Sequence, residues 1–220
     1  MEQLHLKIQR YIEHTSVNAD ARPMDIDRLC AEAKKYNFLA VAVNPHYVKR
    51  CAKQLKGSST FVVCAVGFPL GATTSSIKAA EATEAISNGA SEIDMVINIG
   101  ELKGKNDNIV LKDIQAVVAV AQPGNIPIKV IIETDLLTHD EKIRASQAAY
   151  MAGANFVKTS TGTRVGGANI ADIRLILESV DYKLQVKAAG GIRSWKTAKM
   201  MISISMNVML KSYTDGQSSA

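Results

Sequence analysis

The feature of this sequence that most constrains its fold is a series of short, β-branched, nearly continuously apolar segments at fairly even intervals. Such segments are typical of strands buried on both faces of a parallel sheet. Apolar residues make up 47% of the chain and aromatic residues only 5%, a mixture that suits helices packed closely on such a sheet. Strands are predicted at 10–17, 38–44, 60–68, 91–99, 126–134, 154–160 and 184–190, and an eighth candidate is 206–210.

Segments of helical periodicity lie between the predicted strands. They comprise residues 25–36, 75–90, 139–154, 169–180 and 194–203, and several begin with a capping residue or end near a glycine. Strand, loop and helix repeated about eight times predict an α/β fold of the (β/α)₈ barrel type. A doubly wound open sheet is the structural alternative. The barrel is favoured because the alternation continues to the end of the chain and polar residues gather at the C-terminal ends of strands.

Chain organisation and charge narrow the class of protein further. No proline- or serine-rich linker divides the 220 residues, so residues 1–220 are predicted to form a single domain. The net charge is +5, but the 26 lysines and arginines are scattered. We therefore expect a solvated surface with one anion site, and no nucleic-acid partner.

The cysteines and the N-terminal segment favour a cytoplasmic location. The three cysteines, Cys30, Cys51 and Cys64, are odd in number and lack CxxC spacing, which fits a reducing compartment. The segment MEQLHLKIQRYIEH has no apolar core of the signal-peptide type. The longest apolar run, 61–72, is broken by glycine and proline and is too short to cross a membrane.

Three ionisable residues lie on predicted strands: Asp94, Lys158 and Lys187. In a barrel, inward side chains from different strands meet near the mouth. A lysine beside a second cation in a partly dry space loses its proton more readily. Its neutral amine can then attack a carbonyl group and form a Schiff base, while a carboxylate and the second lysine move protons.

Other interpretations of these charges stay open from sequence alone. A single lysine at a strand end usually extends its ammonium to solvent, and Asp94 could simply cap a loop or pair with an arginine. Lys129 and Glu133 also lie on a predicted strand. Their spacing would place them either on the face that packs against helices or near one end of the strand.

Glycine-rich turns follow the two late strands. Gly162 follows Lys158, Gly166 and Gly167 precede a predicted helix, and Gly190 and Gly191 follow Lys187. Glycine turns before helix N-termini expose backbone N–H groups, and the late loops of a barrel often hold phosphate. No GxxxxGK[ST] or GxGxxG nucleotide motif occurs, so the expected anion is a phosphorylated small molecule.

The sequence supports no metal or cofactor and no serine or cysteine nucleophile. The four histidines show no HxH or HExxH spacing, and structural or surface roles are expected for them. There is no GxSxG elbow. Cys64 lies within a predicted strand and is interpreted as an inert core residue.

Several of these segments together resemble the deoxyribose-phosphate aldolase family over about residues 8–200. The matching stretches, in order along the chain, are VNPHYV (43–48), GFPLGATTSSIKAAE (67–81), SEIDMVINIG (91–100), KVIIET (129–134), NFVKTSTG (155–162) and KAAGGIRS (187–194). The resemblance implies a class I aldolase on a (β/α)₈ barrel. Such an enzyme cleaves 2-deoxy-D-ribose 5-phosphate reversibly to D-glyceraldehyde 3-phosphate and acetaldehyde without a metal. A homodimer is a further expectation.

The resemblance also implies roles for individual residues. Lys158 would form the Schiff base, Lys187 would depress its pKa and join the proton relay, and Asp94 would be the relay carboxylate. Gly162, Gly190 and Gly191 would present backbone N–H groups to the substrate phosphate. Ser212 would be a remnant of the family's serine-containing phosphate loop.

The sequence departs from the family pattern at four places. Glu13 replaces an aspartate, Ala42 replaces a frequent cysteine, and Arg164 stands in the loop after the Schiff-base lysine. The segment SISMNVMLKSYTDGQSSA replaces the usual C-terminal phosphate loop, so an atypical C-terminal end is expected. Two further hypotheses are therefore retained: a Schiff-base aldolase with a different aldehyde substrate, and a non-catalytic or impaired relative.

Overall fold

The computed structural model describes residues 7–164 and 166–204. Within these residues, seven parallel strands form one sheet, in which neighbours in the sheet are also neighbours in the chain. The strands are β1 (Glu13–Ser16), β2 (Ala40–Val43), β3 (Phe61–Val66), β4 (Glu92–Val96), β5 (Ile128–Ile131), β6 (Phe156–Lys158) and β7 (Gln185–Lys187).

Helices connect successive strands. They are α1 (Pro23–Tyr36), α2 (Val48–Leu55), α3 (Ser75–Ser87), α4 (Ile99–Lys103), α5 (Asp107–Ala121), α6 (His139–Met151) and α7 (Ile170–Ser179). Residues 195–204 form a further helix, α8. Short 3₁₀ turns lie at Ile8–Tyr11, Pro45–Tyr47, Gln122–Gly124 and Thr134–Leu136.

The sheet curls strongly from its first strand to its seventh. In a flat sheet these strands would lie about 29 Å apart, because each of six steps adds about 4.8 Å. In this protein Lys187 of β7 lies 2.9 Å from Glu13 of β1, measured from Nζ to Oε1. The strand order also lacks the reversal that marks a doubly wound sheet. The curled parallel sheet with helices confirms the α/β prediction and excludes the open-sheet alternative.

The two faces of the sheet carry different side chains. Outward residues such as Val41, Cys64, Met95 and Val130 pack with the helices in the main hydrophobic core. On the concave side, β2 and β3 contribute a small cluster of Ala40, Ala42 and Val63. Strands β4 to β7 place charged side chains on that concave side, so this part of the interior is polar.

The secondary structure differs from the prediction in the middle of the chain. The helices α2, α4 and α5 are not among the predicted helices. The β-branched run at 117–120 within α5 resembles a strand pattern, and α2 buries only Val48, Cys51 and Leu55. The eighth predicted strand, 206–210, and residues 205–220 of the atypical C-terminal end fall outside the described residues.

None of the helices in the described part of the chain is both long and apolar enough to cross a membrane.

Candidate active site

Lys158 lies at the C-terminal end of β6 and makes a buried ion pair. Its Nζ donates to Oδ2 of Asp94 on β4 at 2.6 Å. The other carboxylate oxygen of Asp94 accepts from Nζ of Lys129 on β5 at 3.1 Å. Asp94 and Lys129 are each only 2% exposed and Lys158 is 6% exposed, so these charges interact with little screening by solvent.

Lys187 is held by a different carboxylate. Its Nζ lies 2.9 Å from Oε1 of Glu13, and the same oxygen lies 3.4 Å from Nζ of Lys129. Lys129 also donates to Glu92. A continuous chain of charges therefore runs from Lys187 through Glu13, Lys129 and Asp94 to Lys158. We call these residues and Glu92 the charge network. The network contains three lysines and three carboxylates, so its formal charges cancel.

The registers of the strands explain why these side chains meet. Lys158 is the register partner of Lys187, and Asp94 is the register partner of Lys129. Residues in register on neighbouring strands point to the same face. Lys129 therefore faces the interior, which resolves the alternative that sequence left open.

The network shifts the pKa of its members in opposite directions. Burial lowers the pKa of Lys187, and the attraction of Glu13 only partly offsets it. Burial opposes the charge of Lys129 too, but Asp94, Glu13 and Glu92 outweigh it and raise the pKa of that lysine. Lys129 thus stays protonated, whereas Lys187 releases its proton more readily than an ordinary lysine.

The carboxylates respond to the lysines in the same way. Burial alone would raise the pKa of Asp94, but Lys158 and Lys129 outweigh it and the net shift is downward. Glu13 behaves likewise, because Lys187 and Lys129 overcome its burial. Burial dominates at Glu92 and raises its pKa. Asp94 and Glu13 are therefore ionised at neutral pH.

Glu133 lies outside the network, at the end of β5. It adopts a left-handed backbone conformation with φ of 54° and is buried. Its carboxylate accepts hydrogen bonds from the backbone N–H and the hydroxyl of Thr161. Glu133 thus fixes the start of the loop that follows Lys158.

The predicted phosphate-binding glycines lie in the loops after β6 and β7, at the end of the curled sheet where its strands finish. We call this end the mouth. Gly162, Gly190 and Gly191 have φ values of 79°, 84° and 73°, a left-handed conformation that favours glycine. Within the described part of the chain, their N–H groups donate to no protein acceptor. Ser212, the fourth predicted phosphate residue, falls outside the described residues.

The two glycine loops are packed against each other. A Cβ on Gly167 would lie 2.5 Å from the carbonyl carbon of Gly190. The N–H of Ala168 donates to the carbonyl of Ala189 at 2.9 Å. Because backbone meets backbone here, the loops after Lys158 and Lys187 form one joined rim beside the two lysines.

Two other sequence predictions concern metal and thiol chemistry. Among the residues that the structure describes, no group of three or more His, Cys, Asp and Glu side chains could hold a metal ion. Cys64 is fully buried on the outer face of β3, and burial raises the pKa of its thiol. The thiol therefore stays protonated, as expected for a core residue.

The sequence predicted Asp94, Lys158 and Lys187 as site residues but did not predict that Glu13 and Glu92 pair with lysines beside them. Glu13 was noted only as a departure from a family pattern, and Glu92 was not singled out. The alternation of β-strands gave one signal, since Glu13, Glu92 and Lys129 share faces with Thr15, Asp94 and Ile131.

Comparisons with known proteins point to a single family. A family model described as DeoC/LacD family aldolase matches residues 8–214. A deoxyribose-phosphate aldolase from Lysinibacillus sphaericus is 51% identical over 193 residues, 88% of this chain and 86% of that protein. One from Clostridium tetani is 46% identical over 202 residues, 92% of this chain and 93% of that protein.

Solved structures show the same fold. The aldolase QR15 superposes with a TM-score of 0.86 at 32% identity, over 90% of this chain and 88% of that one. A tetrameric deoxyribose-phosphate aldolase from Aeropyrum pernix gives a TM-score of 0.83 at 26% identity, over 90% of this chain and 83% of that one. With the sequence matches, these similarities show that the chain belongs to the DeoC/LacD aldolase family, a family of carbon–carbon lyases.

Proposed function

We propose that this protein is a deoxyribose-phosphate aldolase that cleaves 2-deoxy-D-ribose 5-phosphate through a Schiff base on Lys158. The observation that carries the proposal is the buried pairing of Lys158 with Asp94 at 2.6 Å, beside Lys187 on the next strand. About 50% identity to deoxyribose-phosphate aldolases over most of the chain supports the same substrate.

The chemistry begins when Lys158 transfers a proton and its neutral amine attacks the aldehyde carbon C1 of the open-chain sugar. Loss of water gives a protonated imine. The C3 hydroxyl then loses its proton, the C2–C3 bond breaks, and its electron pair enters the imine to form an enamine. D-glyceraldehyde 3-phosphate leaves. Protonation of the enamine carbon and hydrolysis of the imine release acetaldehyde and restore Lys158.

Asp94 and Lys187 are suited to different parts of the proton traffic. Asp94 is ionised and hydrogen-bonded to Lys158, so it is placed to relay the proton that Lys158 gives up. Lys187 has a lowered pKa and a side chain that is 19% exposed. It can therefore exchange protons with substrate hydroxyl groups near neutral pH more readily than an ordinary lysine.

The glycine rim is the proposed phosphate site. The N–H groups of Gly162, Gly190 and Gly191 are unused within the described part of the chain, and Gly162 and Gly191 are exposed at the mouth. Backbone N–H groups in left-handed turns make anion-binding concavities. A phosphate held there would place the sugar chain over Lys158 and Lys187.

The test is an assay of purified protein for glyceraldehyde 3-phosphate formed from 2-deoxyribose 5-phosphate. We expect activity that survives EDTA, because the proposed chemistry uses lysines. Lys158→Leu should abolish it, whereas Lys112→Leu, at an exposed lysine of α5, should not. A wild-type protein that does not cleave this substrate, or that needs added zinc, would overturn the proposal.

Cytoplasmic location, a role in deoxyribonucleotide catabolism and a homodimer stay predictions from sequence. The relative from Aeropyrum pernix is described as tetrameric. Light scattering of the purified protein would distinguish a dimer from a monomer or a tetramer.

A further inference from the structure

A second buried ion pair lies outside the barrel, between helices. Lys78 of α3 is fully buried, and its Nζ lies 2.5 Å from Oδ2 of Asp113 on α5. Burial lowers the pKa of Lys78 in spite of this partner. The remaining oxygen of Asp113 accepts no hydrogen bond from the described residues. Replacing such a pair by apolar side chains is often neutral or stabilising, so stability alone explains its presence poorly.

Lys78 also reaches the strand that carries Asp94. Its Nζ donates to the carbonyl of Val96 at 2.8 Å, and Val96 is the last residue of β4, two residues after Asp94. The N–H of Ile97 donates toward β5, to Ile131. Because C=O and N–H of a trans peptide point in opposite directions, the Val96 carbonyl points toward β3.

Strand β3 cannot supply a donor for that carbonyl. It ends at Val66, which is in register with Met95, and the chain then turns at Gly67 with φ of 62°. The N–H of Gly67 donates instead to Oε2 of Glu81 at 2.6 Å. Lys78 therefore supplies the hydrogen-bond donor that β3 does not provide at Val96. Glu81, one turn along α3, holds the end of β3.

The stem of Lys78 fits against the same turn. A Cβ on Gly67 would lie 2.9 Å from Cε of Lys78, so the lysine and the turn are in close contact. The adjoining loop approaches β4 as well, because a Cβ on Gly71 would lie 1.9 Å from the carbonyl oxygen of Ile97. One helix thus fixes two neighbouring strand ends at the mouth of the barrel.

We propose that Lys78 and Glu81, here called the α3 clamp, are positioning residues that hold the ends of β3 and β4 so that Asp94 meets Lys158. This inference rests on the proposed function. It assigns the clamp no contact with substrate, and its action passes through Val96 and the backbone of β4. Loss of the clamp changes the placement of Asp94 and, through it, the proton transfer from Lys158.

The experiment compares variants in which the clamp is removed without leaving a buried unpaired charge. Lys78→Met/Asp113→Leu replaces the ion pair by apolar side chains. Glu81→Leu removes the acceptor for Gly67, and Glu81→Gln keeps an acceptor oxygen. Glu84→Leu, at an exposed position of the same helix, is the matched control. Thermal unfolding, kcat, KM and the pH dependence of borohydride-trapped imine with acetaldehyde are measured for each.

We expect Lys78→Met/Asp113→Leu and Glu81→Leu to unfold cooperatively but to form imine about tenfold more slowly, with an altered pH profile and little change in KM, because small misplacements of catalytic groups are costly. Glu81→Gln should recover most of the rate, and Glu84→Leu should match wild type. Folded variants that form imine at the wild-type rate and pH would overturn the inference, as would losses that only follow the amount of unfolded protein. No imine in wild type would contradict the proposed function instead.

Discussion

At the scale of single residues, the two lysines of the site differ in the carboxylate that holds each of them. Asp94 binds Lys158, and Glu13 binds Lys187. The family resemblance implies that Lys187 adjusts Lys158. The structure adds that Glu13 influences the pKa of Lys187, because Glu13 is the nearest carboxylate and opposes the lowering of that pKa by burial.

Glu13→Gln should lower the pKa of Lys187 further. The folded protein already lowers this pKa by burial, and the variant loses the main attraction that counters it. Loss of a contacting opposite charge shifts a pKa by about 1 unit or more. Lys187 should therefore become neutral at a lower pH, which side-chain ¹⁵N NMR titration can measure.

Glu32→Gln is the matched control for this titration. Glu32 pairs with His14 at 2.7 Å on the outer side of β1, so the pKa of Lys187 should not move. An unchanged Lys187 titration in Glu13→Gln would show that Glu13 does not control its charge.

The sequence indicates some of these residues more clearly than others. Asp94, Lys158 and Lys187 are conspicuous because an ionisable side chain in an apolar strand needs a reason. Lys129 was equally visible, but alternation says only that Lys129 and Ile131 share a face, not which face is the interior. That choice depends on the register with β4, which no local pattern contains.

At the scale of elements, Lys129 connects three strands. From β5 it contacts Glu13 on β1 and both Glu92 and Asp94 on β4. Lys129 is therefore the one lysine of the charge network that contacts all three of its carboxylates.

Lys129→Met should cost about 3–5 kcal/mol of unfolding free energy at pH 7, because Glu92 loses its lysine partner and Asp94 and Glu13 each keep only one. Without Lys129 the pKa of Glu92, which burial already raises, should rise further above its unfolded value, and the pKa values of Asp94 and Glu13 should rise as well. Their protonation then favours folding at low pH, and this contribution is lost as pH rises through the folded pKa values. The deficit should therefore be smaller at pH 5 than at pH 7.

Denaturant unfolding at the two pH values provides the measurement. Lys103→Met, which breaks a partly exposed pair with Glu141, should cost only about 1 kcal/mol or less. Equal deficits for Lys129→Met at pH 5 and pH 7 would contradict the proposed role of Lys129.

The joined glycine loops give a second prediction at this scale. A Cβ on Gly190 would lie 2.9 Å from the Cα of Gly167, at φ of 84°. Gly190→Ala should therefore lower the unfolding free energy by about 1–3 kcal/mol and raise the KM for 2-deoxyribose 5-phosphate.

Gly57→Ala separates backbone strain from loop packing. Gly57 has a similar φ of 80° but nothing within 4 Å of its added Cβ. Its cost should be smaller, and KM should stay at the wild-type value. A wild-type KM in Gly190→Ala would argue against the loop as the phosphate site.

The elements themselves were predicted best where periodicity and capping agree. Helix α6 begins at His139 as predicted, and Thr138 and Glu141 form a capping box there. The positions of the strands are predicted, but the predicted segments are longer than the strands. At β6, for example, the predicted segment 154–160 contains a strand of three residues, Phe156–Lys158. Backbone pairing ends where the loop begins, and composition does not mark that point.

At the scale of the whole molecule, the curl of the sheet creates the site. Side chains from β1, β4, β5, β6 and β7 converge on one charge network, although they are separated by up to 174 positions in the chain, from Glu13 to Lys187. The repeating pattern predicted the parallel α/β architecture. It could not predict which charges would pair, because those contacts depend on closure of the sheet.

The central proposal is that Lys158, and not Lys187, attacks the aldehyde and forms the Schiff base. The most direct measurement is mass spectrometry of peptides after borohydride reduction in the presence of acetaldehyde. The account predicts one reduced adduct on Lys158, lost in Lys158→Leu and still formed, more slowly at neutral pH, in Lys187→Leu. An adduct found only on Lys187, or none under turnover conditions, would contradict it.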